Sequence, residues 1–223
     1  MYRLITFDMY SALLDIEGSA VPQVEAVLNC SKEECLVFFR LWRNRQWDYV
    51  LLSSVMGKGF LSYHEITSLA LVYTEKKMGI PLGEIQRQSL MDIWLNFKAW
   101  PEAKETIDGL KAKGYQVAML SNGDEEMLRC LEASTGISFD YIFAADQARC
   151  YKPHPDIYQL PVERLGIEKS ELLHVAGSLF DMMGARAAGY DCAWSNRFGE
   201  YTIDPRYQPN LETKNLQQLL THL

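Results

Sequence analysis

The sequence predicts an α/β protein, a doubly wound parallel sheet interrupted by a long helical insertion, and three observations carry that expectation. Short β-rich apolar runs alternate with helical patterns, several runs end in a polar cluster, and one long stretch after the first run holds no strand. The runs are Arg3 to Phe7, Tyr115 to Ser121, Tyr141 to Ala144, Leu172 to Ala176 and Cys192 to Asn196. Strands this continuously apolar suit a sheet covered on both faces, which is the habit of parallel sheets joined by crossover helices.

The stretch from Asp15 to Phe97 reads as helix throughout. Ser31-Lys-Glu-Glu34 and Ser62-Tyr-His-Glu65 both carry the capping-box pattern, in which a serine and a glutamate three residues on satisfy each other's backbone amides. Gly79-Ile-Pro-Leu ends the second of these helices, and a further one runs through Trp94. The expected division is therefore a core domain over 1–14 and 98–223 and a helical cap domain over 15–97. Ligands in open α/β folds bind beyond the carboxyl ends of the strands, so an insertion after the first strand is placed to act as a lid.

Composition narrows the partners. The chain has 223 residues, enough for one core with an insertion, and its net charge of -7 gives no basic field for nucleic acid. An anionic substrate must be met by local cations. No apolar run reaches the ~18 residues of a membrane helix, and the start of the chain lacks the pattern of a secretory signal, so no membrane partner and a cytoplasmic location are expected. Cys30, Cys35, Cys130, Cys150 and Cys192 are odd in number, scattered, and without Cys-x-x-Cys spacing; they read as reduced, mostly buried thiols.

Four polar clusters follow predicted strands. Asp8 closes the run Leu-Ile-Thr-Phe, Ser121-Asn122-Gly123 follows Val-Ala-Met-Leu, Lys152 lies shortly after Tyr141 to Ala144, and Gly177-Ser178-Leu-Phe-Asp181 follows Leu-Leu-His-Val-Ala. Taken singly, these read as a turn acid, a common turn, a solvated loop charge and a helix cap. A parallel sheet, however, brings all four to one edge.

In that order they resemble the haloacid dehalogenase superfamily, whose motifs are an Asp after the first strand, a Ser or Thr after the second, a Lys, and a final acidic loop. The superfamily's magnesium-dependent phosphatases carry a second Asp two residues after the nucleophile and a metal-binding acid in the last motif. Here those positions are Tyr10 and Gly177, which supply no carboxylate for a hard cation. The sequence is instead similar to the metal-free L-2-haloacid dehalogenase branch, which carries a Trp-Arg-x-Lys-Gln-Leu-Glu-Tyr-like stretch on its cap. This chain reads Trp42-Arg43-Asn44-Arg45-Gln46-Trp47-Asp48-Tyr49.

The resemblance implies a hydrolase that needs neither metal nor other cofactor and acts on a small carboxylic acid. It implies Asp8 as nucleophile, Lys152 as the cation beside it, Asp181 orienting Lys152 and helping to activate water, and Arg43 assisting departure of the halide together with Asn122. Tyr10, Ser121 and amides near Met9 would bind the substrate carboxylate. Tyr158, Ser178, Phe180 and Trp47 complete the expected pocket, with Phe60 a weaker candidate. His154 is expected to face solvent, and His64 and His174 to be structural. Many relatives are homodimers, a state compatible with this sequence.

Departures stand beside the matches. The branch's Tyr-Gly-Thr-Leu appears as Tyr10-Ser11-Ala12-Leu13, and a serine of the last motif is Ala176, so two hydroxyls of the water-positioning network are gone. Three alternatives follow: a metal-free enzyme of the same type that opens a C–N or C–F bond, a magnesium-dependent phosphatase, and a binding protein that has kept the fold without turnover.

Overall fold

A computed structural model describes residues 2–223. The chain opens on β1 (Leu4–Phe7), passes through a single π-helical turn at Met9–Leu13, and then forms α1 (Ile16–Leu28), α2 (Lys32–Met56), α3 (Tyr63–Met78) and α4 (Glu84–Asp92). After α5 (Ala103–Ala112) come β2 (Gln116–Ser121), α6 (Glu125–Thr135), β3 (Tyr141–Ala144), α7 (Ala145–Ala148) and α8 (Pro155–Leu165). The chain ends with β4 (Leu172–Ala176), α9 (Leu179–Ala187), β5 (Asp191–Ser195), β6 (Leu211–Thr213) and α10 (Leu219–His222).

The strands form one parallel sheet in the order β3-β2-β1-β4-β5-β6. The chain winds outward from β1 to β3, then crosses back to lay β4 against β1, so the winding reverses between those two strands. Right-handed crossovers then put α5 and α6 on one face and α8 and α9 on the other. The register sets Phe7 beside Met119 and Val175, which brings Asp8, Ser121 and the turn after Ala176 to one edge. All five expected strands form, with ends shifted by no more than one residue. β6 was not expected, because its Leu-Glu-Thr is three residues long and exposes its glutamate.

Both predicted capping boxes are present, at Ser31 for α2 and Ser62 for α3. The segments leading into α1 and out towards α5 pair with each other: Leu14 bridges Ala99, Asp15 N–H donates to the Lys98 carbonyl at 2.9 Å, and Trp100 N–H donates to the Leu13 carbonyl at 2.9 Å. An aromatic cluster fills the space between these helices and the turn after β1. Trp94, fully buried, lies 5.9 Å from Tyr10, 6.0 Å from Tyr63, 5.6 Å from Trp42 and 5.5 Å from Phe97, ring centre to ring centre. Among the described residues no helix is long and apolar enough to cross a membrane.

One expectation about the cysteines is corrected. Cys30 and Cys35 form a disulfide, while Cys130, Cys150 and Cys192 are free. Asn29 ends α1 in the left-handed conformation, φ 52°, turning the chain so that Cys30 faces the first turn of α2 with a Cα separation of 6.2 Å. That span is within the reach of a disulfide. Spacing alone did not reveal it.

The aromatic cluster gives the first prediction. Trp94→Ala removes the ring that touches both the helical insert and the turn bearing Tyr10, and is expected to cost roughly 3–5 kcal/mol, the range for truncating a buried Trp or Phe. Urea unfolding followed by circular dichroism measures it; a loss below about 1 kcal/mol would mean that the insert does not depend on this cluster.

Candidate active site

Asp8 ends β1 and is almost fully buried. Its Oδ2 accepts the backbone N–H of Ser11 at 2.7 Å and also the Ser11 hydroxyl, so the carboxylate caps the turn that follows it. Its Oδ1 accepts the Ser121 hydroxyl at 3.1 Å and lies 3.3 Å from the Lys152 ammonium. Lys152 is 2% exposed, and its Nζ also donates to Asp181 Oδ2 at 2.9 Å. A buried ammonium is costly without partners, and this one sits between two carboxylates.

Asp181 is in the first turn of α9, behind Lys152, and every donor near it points at its carboxylate. Oδ2 receives Lys152 and His174 Nε2, the latter at 3.0 Å, and Oδ1 receives the Tyr158 hydroxyl at 2.8 Å. Burial alone would raise the carboxyl's pKa, but His174 and Lys152 reverse that and hold it well below the usual carboxylate range. Such a carboxylate is a strong anchor and a weak base. The geometry therefore favours orienting Lys152 over taking a proton from water, the two parts of the role expected for it.

His174 is the residue that sequence reasoning placed among the structural histidines and that the structure brings into this network. It is wholly buried on β4, with Nε2 against Asp181 and Nδ1 2.9 Å from the Thr6 hydroxyl. Nε2–H donates to the ionised carboxylate, so Nδ1 accepts from Thr6 and the ring is neutral; burial lowers its pKa despite the acids around it. The one signal available was its position, two residues before the end of a strand otherwise made of apolar residues.

A cavity of about 330 Å³ opens over Asp8, and Tyr10, Arg43, Trp47, Asn122, Lys152, Ser178, Phe180 and Asp181 all line it. Arg43, half-buried on α2, makes no ion pair and no hydrogen bond among the described residues. Asn122 spends its Oδ1 on the Lys152 N–H at 2.8 Å, leaving its amide donors unpaired. Trp47 and Phe180 face each other at 5.7 Å and form an aromatic wall shared by α2 and α9. Ser178 caps α9, accepting the Asp181 N–H at 3.3 Å. Gln46, Tyr63 and Glu200 also reach the cavity and were not expected there.

Three expected residues stand elsewhere. Tyr158 lies behind Asp181, 1% exposed and outside the cavity lining. Ser121 is fully buried and turns its hydroxyl to Asp8, so it holds that carboxylate in place and does not line the cavity. Phe60 stacks on Tyr151 at 5.0 Å, beneath Arg149, in a different groove. His154 is part-exposed, as expected, and caps α8.

The hydroxyl missing at Ala12 is matched by one at Ser11, which donates to Asp8. Gly177 packs on the same turn: a Cβ there would lie 2.1 Å from the Ser11 carbonyl oxygen and 2.4 Å from the Ala12 nitrogen. No acid fits at 177. Among the described residues there is no cluster of three His, Cys, Asp or Glu able to hold a metal ion, so the residues present do not fit the magnesium site of the phosphatases.

The model of the haloacid dehalogenase-like hydrolases matches residues 2–189. The chain belongs to that family. It is 33% identical over 221 residues to haloacetate dehalogenase H-2 of Moraxella sp. (strain B), covering 98% of this chain and 96% of that protein. It is 30% identical to (S)-2-haloacid dehalogenase 1 of Pseudomonas sp. (strain CBS-3), covering 99% and 97%. The solved structure of L-2-haloacid dehalogenase from Xanthobacter autotrophicus with chloropropionic acid covalently bound superposes with a TM-score of 0.87 at 26% identity, over 99% and 98% of the two chains.

The neutral His174 gives a pH prediction. Its pKa is depressed in the folded protein, so as pH falls below about 6.5 the unfolded chain takes up the proton first and stability is lost towards the lower folded value. The Asp181 contribution is lost only further down, below the ordinary Asp range. Urea midpoints measured from neutral pH down to about pH 4.5 are expected to fall steadily in the wild type and less in His174→Gln. Parallel curves would show that His174 is not the group being protonated.

Proposed function

We propose that this hydrolase displaces halide from a small 2-haloalkanoic acid through an ester on Asp8, without metal. The single observation that carries this reading is the meeting of two features at one cavity. Asp8 and Lys152, 3.3 Å apart at the sheet edge, line it together with the unpaired guanidinium of Arg43 from α2. The reading takes 1–14 and 98–223 as core and 15–97 as cap, the division proposed from the sequence.

In the first half-reaction a carboxylate oxygen of Asp8 attacks C2 of the substrate, the carbon–halogen bond breaks, and the electron pair leaves with the halide. The Ser11 hydroxyl, a rotatable donor, can turn from Asp8 to the incoming substrate carboxylate. Arg43 and Asn122 offer donors where negative charge develops on the leaving group. In the second half-reaction water adds to the Asp8 carbonyl carbon, the ester C–O bond breaks, and the 2-hydroxy acid, the regenerated carboxylate and a proton are released. Lys152, pinned by Asp181, stays beside the oxygen that carries charge in both steps. Trp47 and Phe180 supply the apolar wall that keeps bulk water from the reacting carbon.

Two experiments test this. Incubation with 2-chloropropionate in heavy-oxygen water is expected to label Asp8 in the wild type and to give no product with Asp8→Asn, read by mass spectrometry of the peptide and by chloride release. Normal turnover by a folded Asp8→Asn protein would remove the covalent mechanism.

The second compares two arginines on α2. Arg45 pairs with Asp48 at 2.9 Å and lies over the Tyr73 ring, on a groove away from Asp8. Arg45→Ala is therefore expected to stay within a few-fold of wild type, whereas Arg43→Ala costs about 2.7–4 kcal/mol of transition-state stabilisation, mainly in kcat. Equal, small effects at both positions would reassign the leaving-group donor.

A further inference from the structure

Beyond Ser121-Asn122-Gly123 stands Asp124, a carboxylate only 9% exposed that the chemistry above does not use. Its Oδ1 accepts the backbone N–H of Tyr63 and its Oδ2 that of His64, each at 2.9 Å. Those amides open α3, in the helical insert, while Asp124 belongs to the loop at the end of β2. The contact thus joins two parts of the chain sixty residues apart.

The arrangement answers a specific need of α3. The first four N–H groups of a helix have no partner within it. Here the capping box satisfies two: Ser62 N–H donates to Glu65 at 2.8 Å and Glu65 N–H to the Ser62 hydroxyl at 3.1 Å. The two left over are those of Tyr63 and His64, and Asp124 takes both. A carboxylate at this end also meets the positive pole of the helix. Nearby, the Tyr151 hydroxyl donates to the Leu61 carbonyl at 2.6 Å, seating the segment before α3 on the residue that precedes Lys152.

From α3 the constraint passes to α2. Trp42 Nε1 donates to the Thr67 carbonyl at 2.8 Å, the Tyr63 hydroxyl donates to Gln46 at 3.1 Å, and Gln46 donates to the Thr67 hydroxyl at 2.5 Å. Trp42 and Gln46 flank Arg43 on α2, and Gln46, three residues on, shares its face and lines the same cavity. We propose that Asp124 is a positioning residue: it docks the first turn of α3 on the loop that carries Ser121 and Asn122, and so fixes where Arg43 stands over Asp8. The proposal rests on the dehalogenase reading for its effect on turnover, and on geometry alone for the docking.

The test has a readout for each part. Amide hydrogen exchange needs no substrate: in Asp124→Ala the amides of Tyr63 and His64 are expected to lose protection by roughly tenfold or more, with β1 and β2 unchanged. In turnover, Asp124→Ala is expected to lower kcat by roughly ten- to a hundredfold, the scale of a misplaced catalytic geometry. Asp124→Asn, which offers one acceptor in place of two, falls between, and it carries both measurements if the alanine variant does not fold. In an Arg43→Ala background the same substitution is expected to cost less than about threefold, because its effect passes through Arg43. Unchanged exchange at Tyr63 and His64, or a full-sized loss of kcat in the Arg43→Ala background, overturns the proposal. A wild-type protein inert towards haloacids, with exchange altered as expected, supports the docking and rejects the functional reading instead.

Discussion

The buried ammonium of Lys152, held between Asp8 and Asp181, is the constraint around which the rest of the structure is arranged. Three charged groups almost without water are tolerable only if every lone pair and proton finds a partner. The surroundings supply them: Ser11 and Ser121 on Asp8, Tyr158 and His174 on Asp181, and Thr6 behind His174. These residues come from β1, the turn after it, β2, α8, β4 and α9. The winding of the sheet is what makes them neighbours, since β1 lies between β2 and β4. The network also divides the labour, because both carboxylate oxygens of Asp181 are held by donors from Lys152, His174 and Tyr158, which makes it an anchor.

The helical insert solves a different problem. In the reaction proposed above, an exposed nucleophile would meet water before substrate, and a leaving halide would need a donor on the side away from the attacking oxygen. The insert brings Arg43 and Trp47 to that side, and the Trp94 cluster and Asp124 hold it there. The close packing of Gly177 on the Ser11–Ala12 peptide belongs to the same economy. A turn pressed this tightly against the last loop excludes the acid that phosphatases keep there, and the ammonium of Lys152 supplies the positive charge between the two carboxylates.

Much of the site was legible because its groups follow strands. Asp8, Asn122, Lys152 and Asp181 were found from their places after apolar runs, and Arg43 and Trp47 from the resemblance of Trp42 to Tyr49 to the cap stretch of the L-2-haloacid dehalogenases. Ser121 and Tyr158 were found too, but as cavity residues; the structure turns both hydroxyls towards carboxylates, and nothing in their sequence neighbourhood specifies that direction. The disulfide between Cys30 and Cys35 escaped because it depends on the left-handed turn at Asn29.

The alternation of strands and helices and the capping of α2 and α3 were set locally, by residue type and spacing within a few positions. The order of the four polar loops was legible along the chain, and the absence of two metal-binding acids through the family it resembles. It took the folded chain to show that His174 joins the network of Asp181 and Lys152, that Ser11 supplies a hydroxyl to Asp8 where Ala12 supplies none, and that Asp124 reaches across to α3. The places of His174 and Asp124 depend on where side chains point once distant segments have packed, and that of Ser11 on the turn that Asp8 caps three residues before it; a buried polar group is driven to whichever partner is left within reach.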